Sequence, residues 1–385
     1  FSLYFGLTIR QRMTLRRILS IFAFFALITG ATAQDVHYTL HNMSPLTLNP
    51  ANQGAFSGSI RVSGILRAQW YGVAGPKTPG LGIDAPIVRG LRKQDWIGVG
   101  FNMVFDRSGS SSLGNIARTT TGFGASYHFA FDKKQTTVLT LGAQYGGTKI
   151  SSIAPTDPLD QERIFSTDLG GGGSNQGEMI GASGSSSGDP DENPNDNYTD
   201  INAGLMLRTL LDEKDNNTLE VGVAMMRITN DDFRAFTSRD TSGTTVGEML
   251  GSNSQESREA KRTLHAHATL DYKLTDKIRL MPTLFYQNSA NNSSLSIQAW
   301  AGYSLKNEML FKFGLGYRTG DAAKILVGLQ KDRLQVAASY DVAISQSQLA
   351  GFQSGTPNSF ELAANYIFNI YKKPVVNPEL LCPKI

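Results

Sequence analysis

The chain holds a single cysteine, Cys382, in 385 residues. Neither an intramolecular disulfide framework nor a zinc-cysteine site can be built from it. Charge is also scarce: Asp, Glu, Lys and Arg make up 18% of the residues, against about 25% in an ordinary soluble chain. Outside the N-terminus there is no apolar run of roughly 18 residues, which excludes a bundle of membrane helices, and a mean hydropathy of −0.21 agrees. The formal charge of +3 is no sign of a nucleic-acid partner. Arg10, Arg12, Arg16 and Arg17 are the only charged residues of 1–33, and setting them aside reduces the 36 basic side chains to 32, against 33 acidic ones.

Those first residues read as an export signal. Arg16-Arg17 precedes the apolar stretch Ile18 to Ile28, and Thr29-Gly30-Ala31-Thr32-Ala33 ends in a small-x-small pattern. The apolar stretch is too short for an anchor, and Met13 is the expected initiator. The expected division is therefore a signal peptide with an upstream extension over 1–33, and an exported chain starting at Gln34. No cysteine follows the cleavage site to carry a lipid.

What is abundant is alternation. Leu139, Leu141, Ala143 and Tyr145 alternate with Thr140, Gly142 and Gln144; Leu264, Ala266, Ala268, Leu270 and Tyr272 with His265, His267, Thr269 and Asp271; Leu334, Val336, Ala338, Tyr340 and Val342 with Gln335, Ala337, Ser339 and Asp341. A period of two is strand periodicity with one apolar and one polar face. About fourteen such segments are expected: 60–72, 79–88, 95–106, 116–130, 135–149, 200–211, 217–230, 262–273, 277–289, 293–304, 309–318, 323–330, 333–342 and 358–369. Most run to about 10–14 residues, whereas a soluble strand averages roughly 5–6 and a tilted membrane-crossing strand needs roughly 9–11. In hydrocarbon an unpaired backbone N–H or C=O costs several kcal/mol, so the sheet must close on itself. The expected fold is all-β: a transmembrane antiparallel up-and-down barrel of about fourteen strands, of the FadL-like outer-membrane type.

The connections sort by parity. Those after strands 2, 4, 6, 8, 10 and 12 are short and charged; the long ones, 150–199, 231–261 and 343–357, all follow odd strands. Membrane barrels have short periplasmic turns and long external loops, so the sorting gives an orientation. The expected organisation is a periplasmic N-terminal segment over 34–58, an outer-membrane barrel over 59–370 and a periplasmic tail over 371–385. Aromatic rings sort too, with Tyr71, Phe105, Tyr145, Tyr286, Tyr317 and Tyr340 at one end and Phe129, Tyr272, Tyr303 and Phe368 at the other, as two headgroup girdles require. Residues 168–199 are a Gly- and Ser-rich low-complexity stretch and read as a flexible external loop.

Sites for chemistry are few. His265, His267 and Asp271 share one strand face and could bind a metal, but polar residues lining a lumen explain them better, and Lys261 and Arg262 oppose a cation. Residues 189–196 are acidic without the glycine and bidentate glutamate of a calcium loop. Gly170–Gly173 lacks the Lys-Ser/Thr of a phosphate loop, and no G-x-S-x-G elbow appears. No cofactor, metal or catalytic residue is expected, and no enzyme. Two segments are poorly explained by packing. One is Ser44 to Gly54, including Pro45, Leu48, Asn49, Pro50 and Gly54, expected at the periplasmic mouth or folded into the lumen. The other is the tail beginning Lys372-Lys373-Pro374. Both are candidates for capping the barrel or binding a partner.

Gln34-Asp35, Tyr38, Pro45, Leu48-Asn49-Pro50-Ala51, Gly54 and Trp70 resemble the opening of the PorP/SprF family of type IX secretion membrane proteins. Gly316 to Ala322, Gly328, Ser339-Tyr340-Asp341-Val342 and Ser359-Phe360-Glu361-Leu362 resemble its closing segments, with Trp70, Tyr340, Asp341, Phe360 and Glu361 as structural motif residues. The resemblance implies a fourteen-stranded outer-membrane barrel in a member of the Bacteroidota, working in type IX secretion or gliding motility. Its implied partners are periplasmic ring lipoproteins and the translocon, or secreted surface adhesins, and no enzyme is implied. The alternative is a channel for small hydrophobic or polar solutes.

Overall fold

The computed structural model describes residues 38–69, 77–90, 94–110, 114–153, 196–212, 214–229, 232–233, 258–259, 262–289, 292–305, 309–344 and 358–370. The expected signal peptide over 1–33, Gln34, Trp70, Tyr71, the low-complexity stretch up to 195, most of 231–261, Lys372, Lys373, Pro374 and Cys382 lie outside the described residues. No described helix is long and apolar enough to cross a membrane.

Fourteen strands close into one barrel. In chain order they are β1 (Ile60–Gln69), β2 (Lys77–Arg89), β3 (Trp96–Ser110), β4 (Gly114–Ala130), β5 (Thr137–Ile153), β6 (Asp196–Asp212) and β7 (Asn217–Met226), then β10 (Thr263–Lys273), β11 (Ile278–Ser289), β12 (Asn292–Ser304), β13 (Met309–Arg318), β14 (Ala322–Lys331), β15 (Leu334–Ala343) and β16 (Ser359–Phe368). The two-residue strands β8 (Asp232–Phe233) and β9 (Arg258–Glu259) pair only with each other, within the connection between β7 and β10. Every barrel strand runs antiparallel to its neighbours, and β1 closes the wall on β16 in the register Ile60↔Phe368 to Gln69↔Ser359. Each expected strand is present.

The alternation is inverted relative to a soluble core. On β5, Leu141 and Tyr145 are 59% and 64% exposed on the outside, while Thr140 and Gln144 are buried in the bore. The same holds on β10, where His265, His267 and Asp271 point inward, and on β15, where Leu334 and Tyr340 face out and Ser339 and Asp341 face in. Hydrocarbon outside accepts the apolar face, and a polar interior can be hydrogen-bonded internally.

β3 to β6 are 15 to 17 residues long, whereas β13 to β16 have 10 each. They run further than the sequence pattern indicates: β5 continues to Ile153 and β6 begins at Asp196. Beyond the hydrocarbon a ladder needs paired backbone but no apolar face, so the alternation fades before the strand ends. β7 is shorter than expected and stops at Met226, where Arg227 turns to φ +56°. At the opposite rim the turns are tight. Gln135, Asn216 and Asp332 each take positive φ there. In the β4–β5 turn, Asp132 accepts from the backbone N–H groups of Lys134, Thr136 and Thr137 at 3.0, 2.8 and 3.1 Å. Slight burial works to raise its pKa, but these donors hold the carboxyl below the usual range.

Candidate functional site: a plug that fills the bore

The N-terminal segment lies inside the barrel. From Tyr38 it runs through a 3-10 turn (His41–Met43), one turn of helix, α1 (Pro45–Leu48), and a second 3-10 turn (Pro50–Asn52), and reaches β1 at Ile60. Pro45 and Pro50 start the second and third of these elements, where a missing N–H costs nothing. Tyr38, Leu40, Met43, Leu46, Leu48, Ala51, Ala55 and Phe56 are all buried. Of the two locations expected for this segment, the described part occupies the lumen.

The segment crosses the bore from one rim to the other. Its Tyr38 hydroxyl donates to the carbonyl of Thr78, 3.5 Å away at the start of β2 on the long-loop side. Its other end meets the short-turn side, where Ser59 N–H donates to Phe368 O at 2.8 Å.

Charged residues on the wall grip both ends. At the upper end the Glu361 carboxylate accepts the backbone N–H groups of Thr39 and Leu40, both at 2.8 Å, and also binds Arg67. Thr39 Oγ1 donates to Asp341 at 2.6 Å, and Arg318 reaches Asp341 at 3.4 Å. Gln298 Nε2 donates to Thr39 O at 2.7 Å. At the lower end Asp84 takes Arg61 at 2.8 Å and the Gly54 N–H at 2.7 Å. Arg61 donates on to Asn52 O at 2.9 Å, and Arg208 bridges Asn52 Oδ1 at 2.6 Å and Glu220 at 2.7 Å. Buried charges survive only when paired and hydrogen-bonded in this way.

The middle is held by close approach. Asn49 donates to Leu205 O, Val223 O and His267 Nε2 at 3.2, 3.4 and 3.2 Å, and accepts from Ala51 N–H at 2.9 Å. A Cβ on Gly204 would collide with Asn49 Oδ1, and one on Gly142 with the Pro50–Ala51 peptide. These wall positions admit the plug backbone because they have no side chain. Gly54 sits at φ +64°, where a Cβ is strained, and its carbonyl accepts from Trp96 Nε1 at 3.0 Å. Trp96 is fully buried and stacks on His128 at 4.4 Å, whose Nε2 lies 2.8 Å from Gln53 O.

His41 stacks on Phe285 at 4.8 Å, and neither of its ring nitrogens has a hydrogen-bond partner.

Among the described residues a cavity lies on each side of the plug. The upper, of about 120 Å³, is bounded by Tyr38, His41, Asn102, Arg118, Asp200 and Gln287, from the long-loop halves of their strands. The lower, of about 80 Å³, is bounded by Pro45, Phe56, Arg208, Thr283, Trp300 and Arg333, from the short-turn halves. Leu48 reaches both.

The motif residues separate by face. Tyr340 pairs with Phe360 across β15 and β16, and both rings face outward, while Asp341 and Glu361 beside them point inward onto the plug. Pro45, Leu48, Asn49, Pro50 and Gly54 come together in the plug. Sequence reasoning passes over Arg67, Asp84, Arg208 and Glu220. Their signal was a charge at an inward strand position, and nothing local told which segment they would meet. His265 and His267 belong to the plug's seat: His265 Nδ1 lies 3.0 Å from Leu48 O, and His267 meets Asn49. No cluster of three potential metal ligands exists among the described residues.

Among solved structures the chain is similar to the toluene transporter TbuX of Ralstonia pickettii (TM-score 0.45, 10% identity, 85% of this chain and 94% of that one). It is also similar to the NalP autotransporter translocator domain of Neisseria meningitidis (TM-score 0.36, 14% identity, 93% and 96%). A third is a FadL homologue of Pseudomonas aeruginosa (TM-score 0.38, 12% identity, 80% and 89%). No curated protein matches the chain. The family model of the type IX secretion system membrane protein PorP/SprF matches residues 31–366, and the chain belongs to that family.

Proposed function

We propose that this barrel is an outer-membrane component of the type IX secretion system that anchors and positions other proteins and does not conduct solutes. The observation that carries the reading is the plug. It runs the length of the bore, leaves a separate cavity on each side, and is tied to the wall at both ends by buried ion pairs. A solute path would have to break those pairs, each costing about 3–5 kcal/mol when one partner is left behind.

The short-turn rim lies in the periplasm on this reading, as in other barrels with this loop asymmetry. Partner contact there falls to 371–385 with Lys372, Lys373 and Pro374, while Pro45 and Leu48 stay buried in the plug. Asn49, Pro50 and Gly54 hold the plug in place. The long-loop rim faces the cell surface and meets secreted adhesins, with gliding motility in a member of the Bacteroidota as the setting. Deletion of the gene in such a bacterium tests this: loss of surface adhesins and of other type IX cargo is expected. Unchanged export, in a strain also lacking paralogous barrels, would contradict it. The solute-channel alternative predicts uptake defects with export intact.

A further inference from the structure

We propose that the lower cavity is a binding site for a carboxylate borne on a small apolar body. The proposal rests on the barrel and plug alone and does not depend on the secretion role.

The argument begins with a row of side chains. Arg208 of β6 pairs with Glu220 of β7, Glu220 with Thr269 of β10, and Thr269 with Thr283 of β11. The four residues therefore stand side by side at one level of the wall, and all four line the cavity. Arg208 spends Nε on Glu220 and Nη2 on Asn52, but its Nη1 is buried with no hydrogen-bond partner. Thr283 Oγ1 is equally buried and unpartnered. The two residues are only 4% and 3% exposed. A guanidinium N–H without an acceptor is among the costlier groups to bury, and a carboxylate oxygen is its strongest partner.

The acids on the lining do not repel such a ligand, because each already holds a guanidinium. Glu220 binds Arg208 at 2.7 Å, and Asp271 binds Arg279 at 2.6 Å. Beside this row the lining carries apolar side chains, among them Phe56, Met281 and Trp300, together with the polar Asn42, Gln335 and Asn365. A row of polar groups next to apolar side chains fits a short branched acid or the terminal residue of a polypeptide, whose carboxylate lies beside an apolar side chain. Arg333, in the β14–β15 turn, and Gln335, at the start of β15, place the cavity toward the short-turn rim.

The test uses the full chain folded in zwitterionic detergent micelles, with calorimetric titration of isovalerate, isovaleramide, and the tripeptide Ala-Ala-Leu with a free or an amidated C-terminus. At least one carboxylate is expected to bind tenfold or more tightly than its amide. Thr283→Val should weaken that binding several-fold, and Ala55→Leu, which fills the cavity from the plug side, should abolish it. Both variants are checked for heat-modifiable mobility, so that a folded barrel is confirmed in each. Tighter binding of the free-ended peptide identifies a polypeptide C-terminus as the source, and tighter binding of isovalerate a small free acid. If neither carboxylate outbinds its amide on the folded barrel, the cavity holds water only and the proposal falls.

Discussion

Glu361 is fully buried and serves three groups at once: the Arg67 guanidinium and two backbone N–H groups of the plug. Removing it leaves a buried cation and two unpaired donors. Glu361→Ala should lower stability in detergent micelles by about 3–5 kcal/mol, read as a drop in the urea midpoint. Tyr340→Leu and Phe360→Leu, on lipid-facing positions of the same motif, should stay within about 1 kcal/mol of the parent. The resemblance had singled out Asp341 and Glu361, but their reason became visible only with Thr39 and Leu40 against them. Those contacts span 302 to 322 positions of chain, beyond the reach of any local pattern.

Among the elements, the strands were the most legible part. Each lies between lipid and bore, so its alternation records both environments, and the fourteen segments read from the sequence match the fourteen barrel strands. Their ends were less legible, since β5 and β6 continue past the hydrocarbon where no apolar face is required. The plug was only partly legible. Its prolines and the Asn49-Pro50 step marked a turned segment, but its seat is made by residues that lack side chains. Gly142 and Gly204 face each other on β5 and β6, directly beneath Asn49 to Ala51. Inward glycines in a strand look like weak strand positions until the backbone that passes over them is known. Gly204→Val should therefore leave the barrel closed while displacing the plug. Heat-modifiable mobility should be unchanged, and a protease site placed within 44–54 should become cleavable. Retained protection would show that the plug does not depend on this close approach.

For the whole molecule, the outward apolar wall and the polar bore make a barrel that lipid stabilises from outside and a plug stabilises from within. Family membership places that body in the type IX secretion system. The positioning role proposed above requires a bore that stays plugged. This account is most directly tested by single-channel recording in planar bilayers of the full chain beside a variant lacking 38–58. The full chain should insert without steady conductance, and the variant should open stable channels. A steady, voltage-independent conductance from the full chain, equal to that of the variant, would contradict a sealed positioning barrel.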